Sequence, residues 1–220
     1  MDRLFPIITS NLDTYLSGLL VTLQLVGISF VVAMVVGTLV ASLRIAPAKP
    51  LNWLGTFYVE TFRNIPLLVL AIIFSAGLRR GGISLGDLAA ASASLGLYTA
   101  AYIAEAIRSG VSAVGKGQIE ASLSLGFTYR QTMRQVILPQ AFRTVIPPIG
   151  NLIIAMIKNS AIVAGSLIAL DDVLKAARVV NSRTFATNEA FFWAGVGYLL
   201  LTIPATILVR RLEQRFAIKR

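Results

Sequence analysis

Gly117–Pro139 reads GQIEASLSLGFTYRQTMRQVILP, a polar, charged and glycine-punctuated segment set between runs too apolar for a soluble protein. Gln118–Leu125 has the pattern of a short helix, with Ile119, Ser122 and Leu123 toward one face and Glu120 near its positively polarised N-terminal end. Gly126 follows as a residue able to take a left-handed stop. Thr128-Tyr129-Arg130-Gln131 then has the S/T-x-x-Q form of a capping box, which starts a second helix running toward Ile137-Leu138. The pattern predicts helix, glycine corner, helix: a stiff knob with Arg130 and Arg134 on its second arm. A rigid element held between two membrane spans transmits motion, which a flexible linker of equal length does not. From physics alone, the same residues also suit an ordinary capped hairpin.

The surroundings define the setting. The chain has 220 residues, 56% hydrophobic and only 14% charged, against a usual charged fraction of about 25%. Stretches free of Asp, Glu, Lys and Arg run Thr14–Leu43, Asn64–Leu78, Leu88–Ala104, Thr144–Ile157, Asn159–Leu170 and Ala190–Val209, and a spanning helix needs about 20 mostly apolar residues. Joining the fourth and fifth through Lys158 predicts five spans in one all-α integral membrane domain, residues 1–220. The second and third are short, so Phe57–Phe62 and Glu105–Ile107 are expected to extend them. The first run is too long for a signal-peptide core and lacks a basic leader and a small-residue cleavage site, so it is expected to remain as the first span. Cysteine and histidine are both absent, which argues against disulfides, thiol chemistry and zinc; no metal site is expected.

Orientation follows from Lys and Arg. With the N-terminus outside, thirteen fall on inner segments: Arg44, Lys49 and Arg63; Arg108, Lys116, Arg130, Arg134 and Arg143; Arg210, Arg211, Arg215, Lys219 and Arg220. Six fall outside: Arg3, Arg79, Arg80, Lys175, Arg178 and Arg183. The excess favours N-out and C-in, with Arg79-Arg80 as an exception to the bias. Because the net charge of +10 is divided between two sides of a bilayer, nucleic acid is not expected as a partner.

Leu51–Phe62 is amphipathic and carries Trp53 and Tyr58, aromatics suited to the headgroup region. Asn64-Ile65-Pro66 then opens the second span, since proline is tolerated in a first helical turn. The third span is rich in Ala, Ser and Gly, which predicts a central helix rather than a lipid-facing one. The fourth is expected to begin near Arg143, and the fifth to end at Arg210-Arg211. Between them, Asp171–Glu189 reads as an outer segment with a short helix around Asp172–Val180. Glu105 with Arg108, and Glu60 with Arg63, stand at i, i+3 and are expected to pair on helix faces. Asn151 is a candidate for an interhelical hydrogen bond.

The loop's Glu120-Ala121-Ser122, three intervening residues, Gly126, and then Ile137-Leu138-Pro139 resemble the E-A-A loop of permease subunits of ATP-driven, ABC-type importers. Ser122 stands where that motif has its second alanine. Similarity to the polar amino-acid branch covers nearly the whole chain, through Arg63-Asn64-Ile65-Pro66-Leu67-Leu68, Tyr102-Ile103-Ala104-Glu105-Ala106-Ile107-Arg108-Ser109-Gly110, Gly117-Gln118, Leu138-Pro139-Gln140-Ala141, Pro148-x-x-Asn151 and Lys158-Asn159. Around Lys158-Asn159-Ser160-Ala161-Ile162 the chain looks most like actinobacterial glutamate-uptake permeases.

The resemblance implies a type I importer permease in a bacterial cytoplasmic membrane, with residues 113–139 as its cytoplasmic coupling loop. It implies two ATP-binding subunits, a second permease subunit (a paralogue by family habit) and an extracytoplasmic solute-binding protein. ATP and Mg would be used by the ATPase and not bound here; the chain has no P-loop of G-x-x-x-x-G-K-[ST] form. Gly117, Gln118, Glu120, Ala121, Ser122, Gly126, Ile137, Leu138 and Pro139 become the expected ATPase-coupling residues, and none is catalytic. An ionisable residue inside a span is costly and faces a cavity or a partner, so Lys158 is the candidate for a substrate carboxylate. Asn159 and Ser160 would supply hydrogen bonds where the helix is irregular. A salt bridge, or snorkelling of Lys158 to the interface, is the plainer alternative. Glu60, Arg63, Asn64, Pro66, Glu105, Arg108 and Asn151 are expected to be structural or gating residues. The cargo implied is glutamate, glutamine or aspartate. A passive channel or structural span is the competing reading, and it leaves the stiff knob without a purpose.

Overall fold

A computed structural model describes residues 4–166 and 168–216, nearly all of them helical. Arg3, Lys219 and Arg220, counted above for orientation, lie outside the described residues. A short α1 (Leu4–Ser10) leads into α2 (Leu12–Ile45), whose 34 residues reach about 51 Å at 1.5 Å per residue. Then follow α3 (Lys49–Asn64), α4 (Leu67–Arg80), α5 (Asp87–Ser112), α6 (Lys116–Ser124), α7 (Tyr129–Ala164), α8 (Val173–Thr184) and α9 (Thr187–Phe216). Among the described residues, α2, α7 and α9 are long and apolar enough to cross a membrane, and the bent pair α3 with α4 makes a fourth if it counts as one span.

Two expectations need correction. Phe57–Phe62 do not extend the second span in line, because the chain bends by 99° between α3 and α4. Ile65 and Pro66 adopt extended backbone there, as the residue before a proline is driven to do. Pro66 caps α4 rather than sitting in its first turn; its carbonyl accepts the N–H groups of Val69 at 2.9 Å and Leu70 at 3.2 Å. The helix that carries the fourth span starts well before Arg143: α7 begins at Tyr129 and runs unbroken past Pro139, with a π turn over Thr132–Ile137. Wide turns of this kind let a helix absorb local irregularity without breaking. Likewise α9 continues as helix beyond Arg210-Arg211 to Phe216, which leaves the cationic pair free to mark the end of the fifth span.

The small-sided helix α5 does sit at the centre, packed by α2, α3, α4 and α7. Its Ala90, Ala91, Leu95, Ala100, Ala101 and Ala104 are buried. Contact with α2 is close: a Cβ on Gly37 would come within 2.8 Å of the Ile103 side chain and 2.9 Å of the Ala100 carbonyl. Small residues permit such approach where apolar lipid gives helices little reason to associate. The outward faces of α2 and α9 instead expose Leu16, Leu20, Leu39, Leu200, Ile203 and Leu208, as suits a bundle bathed in hydrocarbon rather than water.

Candidate functional site

Local chemistry builds the knob much as the sequence predicts. Helix α6 ends in a Schellman turn: the Gly126 N–H donates to the Leu123 carbonyl at 2.9 Å and the Phe127 N–H to the Ser122 carbonyl at 3.1 Å. Gly126 has φ +83, a conformation that side chains resist. Thr128 then caps α7, accepting the Gln131 N–H at 3.3 Å while the Gln131 Oε1 accepts the Thr128 N–H at 2.8 Å. Ser122 adds a lock. Its hydroxyl donates to the Ile119 carbonyl at 2.7 Å and lies 2.9 Å from the Thr132 hydroxyl. With its single hydrogen spent, Ser122 must accept from Thr132, which ties α6 to the π turn of α7. Ile119 and Met133 pack beneath on Val114, Ile137 and Ala141.

What remains outward is a patch with apolar and polar members. Leu123, Leu125 (78% exposed) and Tyr129 stand out, with Gln118, Glu120 and Ala121 exposed beside them. Leu123, one turn on from Ile119, stays exposed while Ser122 is buried. Ile137 is buried, whereas Leu138 and Pro139 are exposed. Gly117 is open as well: a Cβ there would meet nothing within 4 Å, so no packing inside this chain demands glycine. Near Pro139, the Gln140 side-chain amide donates to the Val136 carbonyl at 2.9 Å.

The second group gathers where α3 gives way to α4. A cavity of about 170 Å³ between α5 and α7 is lined by Tyr98, Thr99, Tyr102, Met156 and Asn159, among others. Tyr98 and Tyr102 share a hydrogen bond at 3.1 Å, and the Arg63 guanidinium lies 5.4 Å from the Tyr102 ring centroid, within cation–π range. The expected Glu60–Arg63 pair does not form. Glu60 instead accepts from the Asn64 amide, at 2.7 Å on its carbonyl and 3.3 Å on its carboxylate. Lys158 is exposed, Asn159 half-buried toward the cavity, and Ser160 fully buried, donating to the Ile157 carbonyl at 2.7 Å. Successive helical residues diverge by about 100°, and α7 is regular through this stretch, so the irregular helix expected there is absent. Asn151 is exposed and has no hydrogen bond within the described residues.

At the knob end of α5, the Glu105–Arg108 pair forms, with contacts of 2.6 and 3.3 Å. A partner missed in the sequence joins them: Arg44, at the end of α2, also pairs with Glu105. Asn52 on α3 donates to the Arg44 carbonyl. Asp172 was read only as the start of a helix, yet it is fully buried. It caps α8, accepting the Lys175 N–H at 2.8 Å and the Tyr198 hydroxyl at 3.1 Å. Burial raises its carboxyl pKa; the N–H groups of Lys175 and Leu174, Tyr198 and the charge of Arg178 oppose that rise without cancelling it.

A helical bundle with a rigid, partly apolar knob at one end and a small polar cavity beside a broken helix is the design of a transport subunit. Residues 33–218 match the family described as the binding-protein-dependent transport system inner membrane component. The chain belongs to that family, and is accordingly a non-catalytic membrane component of an ABC importer. It is 44% identical over 95% of its length to a "Probable glutamine ABC transporter permease protein", GlnM, of Bacillus subtilis, 96% of which is covered. It is 34% identical over 91% of its length to the glutamate transport system permease protein GluC of Corynebacterium glutamicum, 92% of which is covered. The crystal structure of an amino acid ABC transporter with histidines superposes with a TM-score of 0.90 at 32% identity, covering 94% of this chain and 96% of that one.

Proposed function

We propose that this chain forms half of the translocation path of an importer for polar amino acids carrying a carboxylate, with glutamate and glutamine the leading cargoes. It crosses the bacterial cytoplasmic membrane five times, α5 being the third span, with the N-terminus outside and the C-terminus within. Two ATP-binding subunits, a second permease and an extracytoplasmic solute-binding protein complete the assembly, and ATP with Mg is used by the ATPase. The knob seats in a cleft of that ATPase. Closure of the ATPase pair draws two knobs together and opens the spans outward; hydrolysis reverses the motion.

The observation that carries this reading is the knob itself. Leu123, Leu125 and Tyr129 are exposed on an element locked by the Gly126 turn, the Thr128 cap and the Ser122–Thr132 bond. Apolar side chains held out rigidly suit a partner's pocket, and the open site at Gly117 leaves room for that partner's backbone. For cargo, Asn159 and the two tyrosine hydroxyls offer hydrogen bonds at one cavity with the Arg63 charge beside it, and Lys158 offers a second positive charge from an exposed face of α7. Among the relatives, a probable glutamine permease at 44% identity and a glutamate permease at 34% support these two cargoes, the first more strongly. Two measurements test the reading: co-purification with an ATPase, expected to fail on Glu120→Lys or Gly126→Asp, and stimulation of ATP hydrolysis by a panel of glutamate, glutamine, aspartate and arginine in the reconstituted complex. ATPase association unchanged in both variants overturns the coupling assignment; stimulation by arginine alone overturns the cargo.

A further inference from the structure

Phe185 ends α8 in the left-handed region, φ 54 and ψ 26, and is the one non-glycine residue with positive φ among those described. Glycine or asparagine usually takes such a position; a bulky side chain there is an outlier that the surrounding structure must enforce. The enforcement is visible. The Phe185 N–H donates to the Asn181 carbonyl at 2.8 Å, the Thr184 hydroxyl to the Val180 carbonyl at 2.8 Å, and the Thr187 hydroxyl to the Asn181 side chain at 2.9 Å. The corner thus holds outward a phenyl ring that is 89% exposed. In water the strain opposes folding and the exposed ring gains no burial to offset it, so an apolar surrounding outside this chain would stabilise the corner.

The level of the corner identifies that surrounding. A hydrocarbon core of about 30 Å is crossed in about twenty residues at 1.5 Å each, which counted from Arg210 along α9 ends near Ala190. Phe185 lies just beyond, two residues before α9 begins. Other aromatics gather close to the start of α9. Phe5 and Phe192 are exposed there, with ring centroids 6.3 and 5.6 Å from that of Trp193, and the Trp193 indole N–H donates to the Leu4 carbonyl at 2.8 Å. Below them the lipid-exposed face of α9 continues without interruption through Leu199, Leu200 and Ile203.

We infer that Phe185 is a lipid anchor: its ring inserts at the boundary between headgroups and acyl chains, and with Phe5 and Phe192 it forms an aromatic collar that fixes the depth of the α8–α9 corner. Phe side chains on interfacial elements bury at the boundary between headgroups and acyl chains, and the neighbouring Trp193 belongs to the residue type enriched there. The collar ties α1, α8 and α9 to one leaflet while the knob moves at the other. The inference rests on the membrane-spanning reading of α9.

The chain contains no cysteine, so single-cysteine variants of the full chain can carry a nitroxide without further substitution. In vesicles of phosphatidylethanolamine and phosphatidylglycerol, Phe185→Cys is compared with Asp171→Cys, exposed between α7 and α8, and Leu200→Cys, exposed midway along α9. The label at 185 is expected to collide several-fold more with oxygen, relative to an aqueous nickel chelate, than the label at 171. Equal access of nickel at 185 and 171 overturns the anchor and leaves Phe185 to water or a protein partner. A water-accessible label at 200 instead overturns the span itself. A second variant separates anchoring from strain. Phe185→Gly relieves the left-handed residue, so its thermal midpoint is expected to rise in detergent and to rise less, or fall, in the bilayer. An equal rise in both media overturns the inference.

Discussion

Ser122 and Asp172 are both buried polar residues, and each makes a different kind of argument. At Ser122 the motif's alanine is replaced by a hydroxyl that the π turn of α7 uses through Thr132. Removing one partner leaves the other unpaired in a buried place, at a cost of about 1–3 kcal/mol. Ser122→Ala and Thr132→Val are therefore each expected to lower the thermal midpoint and to speed amide exchange across residues 116–132. The double variant should cost less than the sum; full additivity would mean that the two hydroxyls do not act together. At Asp172 the sign is set by burial. A carboxyl whose folded pKa is raised contributes stability that is complete below its unfolded value, about 3.9, and lost as pH rises through the folded value. Asp172→Asn cannot titrate, yet it can still cap α8 through its side-chain oxygen. Relative to the parent it should gain as pH is raised through that window; Asp172→Ala should follow the same pH trend but lie about 1 kcal/mol below Asp172→Asn throughout, for want of the cap. Midpoints measured from pH 4 to 8 check both; a pH-independent difference for Asp172→Asn would remove the titration from the account.

Among the elements, the knob and the α2–α5 junction differ in how far sequence could reach them. Gly126, the Thr128–Gln131 box and the two arms are legible because their chemistry is local, each bond spanning five residues or fewer. The 99° turn was half legible: Asn64-Ile65-Pro66 marks a boundary but says nothing of direction. Arg44 was read as a loop charge, since its partner Glu105 lies 61 positions away and only packing of α2 on α5 unites them. The Tyr98–Tyr102 cavity was missed for a similar reason. Its tyrosines share a face of α5, but Asn159 reaches them from α7 and Arg63 from α3. Asp172 was hidden by a rule, as aspartate is seldom fully buried. The junction yields a prediction of its own. Arg44 is the more enclosed of Glu105's two partners, its side chain 11% exposed against 37% for Arg108. Taking one partner from an enclosed ion pair strands the other. Arg44→Gln should consequently lower the thermal midpoint more than Arg108→Gln does, and Glu105→Gln at least as much as Arg44→Gln. The reverse order would show that the exposed pair holds the junction.

Across the whole molecule, the sites proposed for drive and for cargo are separated. The knob lies at one end of the bundle, while Lys158 sits more than a dozen residues along α7 from the buried foot of that knob at Ile137 and Ala141. α7 is continuous from Tyr129 to Ala164, with Pro147 and Pro148 inside it, so under the proposed coupling a displacement of the knob would pass along a single helix toward Lys158 and Asn159. This arrangement lets chemistry at the two sites be altered independently. Lys158 is exposed on this subunit and is absent from every ion pair among the described residues, which leaves its charge for the path, a second permease or the interface. If it meets the substrate carboxylate, Lys158→Met should reduce uptake by about tenfold or more, the equivalent of losing roughly 1.4 kcal/mol of interaction. Lys158→Arg should retain much of the uptake because its charge survives. Both variants should keep ATPase association, since the knob is untouched. If the lysine only snorkels, methionine is the better residue for lipid and uptake should be unchanged. Transport of labelled glutamate and glutamine into vesicles, measured beside ATP hydrolysis, separates the cases: lost uptake with retained ATPase association assigns Lys158 to the path, and unchanged uptake in Lys158→Met removes it from the path.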